Sequence, residues 1–255
     1  MRAIILAAGS GMRMGKYTEN LPKGMLSVGG KTLIERQLAA LRAADIEDII
    51  IATGYRAETI NYSGVTYAHN PKYAETNMVE TLLCCRDFLN TDILVCYSDI
   101  IYTPELAGKT ADSEYEIAVA ADTDWRKYWN FRYGTTETDL ETFSVGKDFK
   151  IIDIGKPLSS SEGIDYRYIG LIKFSEKALI DMIEFYDAKK KSGQKWLQSG
   201  KEFKKGYMTD LLNELIISGS DVRAVPFKGG WREFDTERDY ELLTESTGNA
   251  LNFEL

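Results

Sequence analysis

Short apolar runs recur along the chain, and several of them stop at a polar residue or a glycine. The runs with strand composition cover residues 4–6, 48–53, 65–70, 93–97, 117–121, 166–174 and 222–227. Continuous apolar runs of this length are typical of strands that are buried on both faces, as in a parallel sheet.

Helical periodicity separates these strands. Thr32 can cap the first helix with Glu35 as its capping-box partner, and the apolar spacing continues over residues 33–41. A strand, a helix and a second strand in this order predict a βαβ unit with parallel strands. Further helices are predicted over residues 77–88, 176–188, 209–218 and 236–244.

The predicted fold class is α/β, with a Rossmann-like mixed, mostly parallel sheet flanked by helices. Residues 141–145 and 150–154 predict an antiparallel pair inserted into that fold. Residues 124–133 are rich in aromatic side chains and are interpreted as a loop-like segment. The lysine-rich residues 189–205 are interpreted as a mobile excursion.

A length of 255 residues fits one elaborated domain that spans residues 1–255. We expect an N-terminal half over residues 1–122, a C-terminal half over residues 123–245, and a frayed tail over residues 246–255. Four candidate ligand residues follow strands, namely Gly9, Gly54, Asp99 and Asp122. In open α/β sheets the ligand lies at the carboxyl ends of the strands, so these residues are expected to gather at one edge.

Charge and composition exclude several function classes. The formal net charge of -8 argues against general binding of nucleic acid or of anionic membranes, because both rest on clustered Lys and Arg. His69 is the only histidine, so carboxylates, lysines, arginines and a hard metal ion are the expected chemistry. Cys84, Cys85 and Cys96 lack metal-binding spacing and are expected to be reduced, buried thiols in a cytoplasmic protein. No membrane-spanning run and no signal peptide are evident.

The loop after the first strand has the composition of a phosphate site. Glycines let exposed backbone N–H groups approach phosphate oxygens, and Arg13 and Lys23 add positive charge. A dinucleotide fingerprint that starts at Gly9 needs a glycine where Met14 stands. A P-loop needs Ser or Thr where Tyr17 follows the Gly-Lys pair. Both motifs therefore fail, and a different nucleoside triphosphate loop is predicted.

The remaining motif resembles the start of the bacterial sugar-phosphate nucleotidyltransferase superfamily. The matching segments are LAAGSGMR at residues 6–13 and LPKGMLSVGGKTLIE at residues 21–35. NPKYAETN at residues 70–77 and GGWREFDT at residues 229–236 resemble the small choline-phosphate cytidylyltransferases and their relatives. The resemblance implies a GT-A-like nucleotidyltransferase fold.

The resemblance also implies roles for residues in the transfer reaction. An acceptor phosphate attacks the α-phosphorus of the nucleotide while pyrophosphate leaves, and because this nucleophile is already an anion, no general base is needed. Lys23 is expected at the α-phosphate, and Arg13 with the loop backbone at the β- and γ-phosphates. Asp99 and Asp235 are the expected Mg²⁺ ligands. The residues expected to bind CTP are Leu6, Ala7, Ala8, Gly9, Gly11, Arg13, Lys23, Thr76, Asn77 and Ser98.

The acceptor site is expected to combine aromatic rings and carboxylates around an ammonium group, with a cation for the phosphate. Its candidate residues are Glu80, Trp125, Trp129, Tyr133, Lys156, Tyr168, Asp210, Trp231 and Glu233. Phosphocholine is the leading acceptor on the resemblance. Aminoethylphosphonate, phosphoethanolamine and a phosphorylated amino acid amide such as phosphoglutamine remain open, with a product for decoration of cell-surface polysaccharide or lipid.

Two other functions remain as alternatives. A hexose-1-phosphate nucleotidyltransferase would use polar sugar contacts rather than the aromatic residues 125–133. A catalytically silent nucleotide-binding subunit would lack Lys23 or the acidic pair, and all three residues are present. The expected partners are CTP and a small phosphate or phosphonate acceptor, without nucleic acid or membrane, in a monomer or homodimer.

Overall fold

The computed structural model describes residues 1–245, and within them strands and helices alternate through most of the chain. The strands are β1 Arg2–Ala7, β2 Ser27–Val28, β3 Lys31–Thr32, β4 Asp48–Thr53, β5 Thr66–His69, β6 Ile93–Tyr97, β7 Ile100–Tyr102, β8 Ile117–Asp122, β9 Leu140–Val145, β10 Ile151–Leu158, β11 Arg167–Phe174, β12 Val222–Phe227 and β13 Trp231–Glu233. The α-helices are α1 Leu33–Ala43, α2 Met78–Leu83, α3 Pro104–Ala111, α4 Trp125–Tyr133, α5 Glu176–Ser192, α6 Met208–Ile217 and α7 Glu237–Glu245. Short 3₁₀ helices include Met12–Thr18 and Lys23–Met25.

Strands β5, β4, β1, β6, β11, β8 and β12 form the central sheet in that spatial order. Strand β1 is parallel to β4 and β6, β4 is parallel to β5, and β8 is parallel to β12. Strand β11 runs antiparallel to both of its neighbours. The expected mixed, mostly parallel α/β sheet is therefore confirmed, and the reversed β11 brings its first residues, Arg167 and Tyr168, to the carboxyl edge of the parallel strands.

Both faces of the sheet are covered, which is why its strands read as continuous apolar runs. Helices α2, α5 and α6 pack on one face and α1, α3 and α4 on the other. The capping box of α1 is present, since Thr32 accepts from the backbone N–H of Glu35 and Glu35 accepts from the backbone N–H of Thr32. Residues 1–245 contain no helix with the length and hydrophobicity needed to cross a bilayer.

The interpretation of residues 124–133 as loop-like is wrong, because Trp125–Tyr133 forms helix α4. Its buried residues Trp125, Tyr128, Trp129 and Arg132 follow the i, i+3, i+4, i+7 spacing of one helix face. Gly134 ends the helix with φ 72°, the left-handed conformation that favours glycine. Because the charged Arg132 stands within this otherwise apolar face, the helical period was not recognised in the sequence.

Two buried side chains anchor the lysine-rich segment, whose mobility stays a prediction. Helix α5 continues to Ser192, and Lys189 Nζ donates to Glu214 Oε2 at 2.7 Å. Trp196 is buried beneath the following residues, and its Nε1 donates to the Phe203 carbonyl at 2.7 Å. This buried ion pair and buried indole anchor the stretch, while most of its other lysines are exposed, as its composition predicted.

Other local predictions are corrected in detail. The helix predicted over residues 77–88 ends at Leu83, and a 3₁₀ turn, Arg86–Phe88, follows. Strand β7 and helix α3 were not predicted. Cys85 and Cys96 are buried as expected, whereas Cys84 is exposed. The predicted tail, residues 246–255, lies outside the described residues.

The predicted antiparallel pair is confirmed as the β9–β10 hairpin. It stands outside the central sheet and packs against α6. Its turn lies beside the start of β12, where Arg223 Nη1 donates to the Asp148 carbonyl at 2.6 Å, and its open end lies at the carboxyl edge, where Arg167 Nη1 donates to the Asp139 carbonyl at 2.8 Å.

Candidate active site

The glycine-rich loop after β1 closes back on Lys23. Gly11 has φ 65°, and a Cβ added there would lie 3.0 Å from Lys23 Cβ. Thr18 Oγ1 donates to the Gly11 carbonyl at 2.9 Å and ties the loop to the 3₁₀ helix Met12–Thr18. Glycine at position 11 therefore satisfies both the backbone conformation and the close approach of the lysine stem.

A two-stranded ladder explains how Asp99 and Asp235 meet despite their distance in sequence. Strand β13 pairs antiparallel with β7, with Glu233 opposite Ile100. The ladder continues one step further, where the Phe234 N–H donates to the Asp99 carbonyl at 2.8 Å. The buried side chain of Gln37 fixes the turn before β7, since its Nε2 donates to the carbonyls of Tyr97 at 2.9 Å and Ile100 at 2.5 Å.

Lys23 lies between the two carboxylates. Its Nζ contacts Asp99 Oδ2 at 2.9 Å and Asp235 Oδ1 at 2.8 Å. Arg13 Nη1 contacts the other oxygen of Asp235 at 2.5 Å, and the Arg13 side chain remains largely exposed. Burial alone lowers the pKa of Lys23, but the two carboxylates outweigh it and hold the pKa above its ordinary value. Lys23 is therefore charged at neutral pH.

The paired carboxylates fit a magnesium ion. Mg²⁺ prefers oxygen ligands and is usually held by one or two carboxylates together with phosphate oxygens and water. Among residues 1–245, no group of three or more His, Cys, Asp or Glu side chains is arranged to hold a metal. A site with only two carboxylates, Asp99 and Asp235, fits an ion that takes its other ligands from the nucleotide and from water.

An open cleft of about 630 Å³ adjoins Lys23 and Asp99. Of the residues expected to bind the nucleotide, those that line it are Leu6, Ala8, Gly9, Gly11, Lys23, Thr76, Asn77 and Ser98. Ala7 lies within β1 and Arg13 lies outside the cleft lining. The sequence reasoning missed three lining residues, Tyr73, Met78 and Thr81. The helical spacing of Asn77, Met78 and Thr81 on one side of α2 is the signal that could have found the last two.

Tyr168 and Glu233 lie next to the acidic pair. The Tyr168 hydroxyl donates to the Tyr97 hydroxyl at 2.8 Å, just before Asp99 in the chain. Glu233 contacts Arg132 Nη1 at 2.5 Å, and burial raises the pKa of Glu233 to about 7 against the opposing charge of this arginine. Lys156 is exposed on β10. Tyr168 and Glu233 are thus near Asp99, whereas Lys156 stands on the outer hairpin, where its backbone N–H donates to Thr142 Oγ1 at 3.0 Å.

The structure does not bring the tryptophan rings to the cleft. Trp125, Trp129 and Trp231 are each at most 1% exposed, and their rings pack into the apolar core. Trp231 Nε1 donates to Asp122 Oδ2 at 2.7 Å, so even its polar atom is used within the protein. Tyr133 is partly buried and packs on Trp129 with a centroid distance of 5.8 Å. An open aromatic surface for a ligand is therefore absent from this helix.

Glu80 and Asp210 also have internal partners. Glu80 accepts from the Tyr186 hydroxyl at 2.6 Å, across the α2–α5 contact. Asp210 is buried and accepts from the N–H groups of Ser199 at 3.2 Å and Tyr207 at 3.0 Å. Both carboxylates therefore connect elements of the fold.

A buried ion network supports Asp235 from behind and was not predicted. Arg132 is bidentate to Asp239, with Nε at 2.9 Å and Nη2 at 2.8 Å. Asp239 Oδ2 accepts from the N–H groups of Asp235 at 3.2 Å and Thr236 at 2.9 Å. Because Arg132 also contacts Glu233, one guanidinium joins α4, β13 and α7 around the loop that carries Asp235.

Comparison with known proteins shows the family to which this chain belongs. A family model described as a MobA-like NTP transferase domain matches residues 3–199. The chain belongs to this family of nucleotidyltransferases. The family resemblance seen in the sequence is thereby confirmed, and the chain is a nucleotidyltransferase.

Several relatives of this nucleotidyltransferase act with CTP by name. The chain is 33% identical to CTP:phosphoglutamine cytidylyltransferase of Campylobacter jejuni, over 96% of this chain and 100% of that one. It is 29% identical to choline-phosphate cytidylyltransferase of Streptococcus pneumoniae, over 72% of this chain and 88% of that one. The solved structure of the CTP:phosphocholine cytidylyltransferase from Streptococcus pneumoniae superposes with a TM-score of 0.72 at 26% identity, covering 96% of this chain and 98% of that one.

Proposed function

We propose that this protein is a Mg²⁺-dependent cytidylyltransferase that transfers CMP from CTP to a small phosphorylated amino acid amide and releases pyrophosphate. The observation that carries the proposal is the convergence of Lys23, Asp99 and Asp235 beside a glycine-rich cleft. The CTP:phosphoglutamine cytidylyltransferase of Campylobacter jejuni aligns with this chain over its full length, which supports CTP and phosphoglutamine as the substrates.

In the proposed reaction, a phosphate oxygen of the acceptor forms a bond to the α-phosphorus of CTP. The bond from that phosphorus to the bridging oxygen of the β-phosphate breaks, and its electron pair leaves with pyrophosphate. Lys23 and Arg13 stabilise the negative charge that builds up on the phosphate oxygens. Mg²⁺ held by Asp99 and Asp235 supplies further positive charge and orients the triphosphate.

The ion pairs of Lys23 explain how its charge becomes available to substrate. Its Nζ pairs with both carboxylates that the proposal assigns to Mg²⁺. If Asp99 and Asp235 held Mg²⁺, the positive charge of the ion would offset their attraction for the lysine. Lys23 lines the cleft together with Gly9 and Gly11, where a triphosphate would bind.

The acceptor surface favours hydrogen bonding over an aromatic cage. A quaternary ammonium has no N–H donor and is held best over open ring faces. The rings of Trp125, Trp129 and Trp231 are buried, whereas Tyr168 and Glu233 offer polar groups near Asp99. This chemistry supports phosphoglutamine over phosphocholine, although phosphocholine was the leading acceptor from the sequence.

Pyrophosphate release tests the proposal directly. Each of the four nucleoside triphosphates is paired with phosphoglutamine, phosphocholine, phosphoethanolamine, aminoethylphosphonate and glucose 1-phosphate. We expect the highest kcat/KM with CTP and phosphoglutamine in the presence of Mg²⁺. A preference for glucose 1-phosphate would establish the hexose-1-phosphate alternative, and no turnover with any pair would support a silent nucleotide-binding subunit.

A further inference from the structure

A second open cleft adjoins the cleft that contains Lys23. Its volume is about 1400 Å³, and the two clefts share four wall residues, which are Gly9, Tyr73, Thr76 and Asn77. Two more residues of the glycine-rich loop, Ser10 and Met12, line the second cleft only. The second cleft therefore continues along the glycine-rich loop from the first.

Two lysines, Lys201 and Lys205, are part of the wall of this second cleft. Among the described residues, neither of them pairs with a carboxylate. Lys201 Nζ lies 5.2 Å from the ring centroid of Tyr207, and Lys205 Nζ donates to the Ala74 carbonyl at 3.3 Å. An ammonium group has three N–H donors. Both lysines therefore keep donors and positive charge for a ligand.

The charged residues next to these lysines are already paired. The carboxylate in the wall of the second cleft, Glu202, contacts Lys195 Nζ at 2.8 Å. Lys204 lies outside the wall and contacts Glu75 Oε2 at 3.2 Å. The wall is thus positively charged in a chain whose net charge is -8. A local surplus of this kind attracts an anionic ligand.

Backbone hydrogen bonds hold Lys205 in place beside the nucleotide cleft. The Asn77 N–H donates to the Lys204 carbonyl at 3.0 Å, and the Val79 N–H donates to the Gly206 carbonyl at 3.3 Å. The residues on both sides of Lys205 are therefore bonded to the start of α2. Asn77 itself lines both clefts, so this lysine has a fixed position relative to the nucleotide.

We propose that Lys201 and Lys205 bind the β- and γ-phosphates of CTP, the part of the nucleotide that leaves as pyrophosphate. This inference rests on the proposed function and adds two positioning cations to it. Both lysines lie beyond residues 3–199, which the family model matches.

The distal phosphates fit this place better than the other charged groups of the substrates. The proposed reaction puts the α-phosphorus and the attacking acceptor phosphate beside Lys23 and Asp99, and neither residue lines the second cleft. Arg13, the cation expected at the distal phosphates, contacts Asp235 and lies outside both cleft walls. A triphosphate that extends along the glycine-rich loop from Lys23 therefore meets the two lysines. Charge-assisted hydrogen bonds to phosphate oxygens are the contacts that they offer.

The test compares CTP with CMP, which keeps the base, the ribose and the α-phosphate but lacks the distal phosphates. Lys201→Met and Lys205→Met remove the charges and keep most of the side-chain length. Lys204→Met is the matched control, because this lysine belongs to the same segment but lies outside the cleft wall. Calorimetry with Mg²⁺ and without acceptor measures the Kd of CTP, and displacement titration measures that of CMP.

We expect Lys205→Met, at a half-buried position, to weaken CTP binding about 10-fold, the order of one charge-assisted hydrogen bond. The exposed Lys201 should contribute less, since exposed charges are screened by water. The double variant should lose more than either single variant, and CMP should bind all of the proteins alike. In steady state, the KM of CTP should rise while the KM of the acceptor stays constant. Melting temperatures verify that the variants are folded.

Each other outcome overturns the assignment or separates it from the proposed reaction. Unchanged CTP binding in the double variant overturns it. An equal loss for CTP and CMP overturns it as well, because the lysines would then act on the nucleoside half or on the packing of the segment. A rise in the acceptor KM alone would assign the lysines to the acceptor instead. If CTP binding weakens as expected but no acceptor yields pyrophosphate, the phosphate site is supported and the proposed reaction fails.

Discussion

At the scale of single residues, Lys23 is the residue on which the proposed chemistry depends most. Its ammonium is the counter-ion of Asp99 and Asp235. In the proposed complex it is a cation for the α-phosphate. A lysine suits this exchange because its ammonium is a compact charge on a flexible stem, while a bidentate arginine is harder to release.

Removal of the Lys23 ammonium should reduce catalysis strongly. We expect Lys23→Ala to lower kcat about 100- to 1,000-fold, the usual effect of deleting one preorganised electrostatic contact. Pyrophosphate release at saturating CTP and acceptor measures the change. Lys31→Ala, at an exposed lysine, is the matched control and should retain activity. A kcat of Lys23→Ala within threefold of wild type would exclude the role at the α-phosphate.

The melting temperature of Lys23→Ala should also test the proposed metal site. Without Lys23, two carboxylates share a largely buried position with only the exposed Arg13 as counter-ion. Loss of one partner of a buried ion pair costs about 3–5 kcal/mol, so we expect a lower melting temperature. Mg²⁺ should then raise the melting temperature of Lys23→Ala by more than that of wild type, since it no longer competes with the lysine. Equal shifts for the two proteins would argue against a metal at Asp99 and Asp235.

At the scale of elements, the active site depends on short pieces of structure that link distant parts of the chain. The ladder of β7 and β13 positions Asp235 against Asp99, and the Arg132–Asp239 pair holds α4 and α7 around it. Each of these links joins residues that are far apart in sequence. They explain why a loop at the start of the chain and a segment near its described end form one site.

These links also explain what the sequence could and could not predict. Lys23 and Asp99 belong to local patterns, a glycine loop with Pro-Lys and a strand that ends in an acid, and both were found. Asp235 was found only through the family resemblance, because a three-residue strand such as β13 has no periodicity of its own.

Helix α4 gives the clearest contrast between composition and packing. Its tryptophans suggested a surface for an ammonium group, yet Trp129 is fully buried and supports the guanidinium groups of Arg132 and Arg167. In the sequence, aromatic residues beside arginines suggested a binding surface. In the structure, the same arginines contact these rings inside the protein. The ring of Trp129 therefore packs against internal arginines.

We expect Trp129→Ala to act mainly on stability. Deletion of a fully buried tryptophan side chain leaves a cavity and costs about 3–5 kcal/mol of unfolding free energy. Urea denaturation measures the loss, and Trp129→Phe should recover part of it by filling most of the cavity. An unchanged unfolding free energy together with a selective rise in the acceptor KM would instead restore the ring to the acceptor surface.

At the scale of the whole molecule, the proposed reaction needs two substrates to meet at the carboxyl edge of the sheet. The cleft by Gly9 and Asn77 includes Asp99 in its lining, and the hydrogen-bonded Tyr97 and Tyr168 lie outside that lining. In the proposed reaction, we expect the acidic pair to stand between the two substrates. A net charge of -8 also means that anionic substrates depend on the local cations, so removal of Mg²⁺ by EDTA should abolish turnover and added Mg²⁺ should restore it.

The central claim is the transfer of CMP to a phosphorylated amino acid amide. The most direct measurement mixes the protein with CTP, Mg²⁺ and phosphoglutamine, and follows both pyrophosphate and the CMP-linked product by mass spectrometry. We predict stoichiometric formation of the two products, with phosphocholine a much poorer acceptor. Turnover of phosphocholine in preference to phosphoglutamine, or pyrophosphate release without a CMP-linked product, would contradict the account.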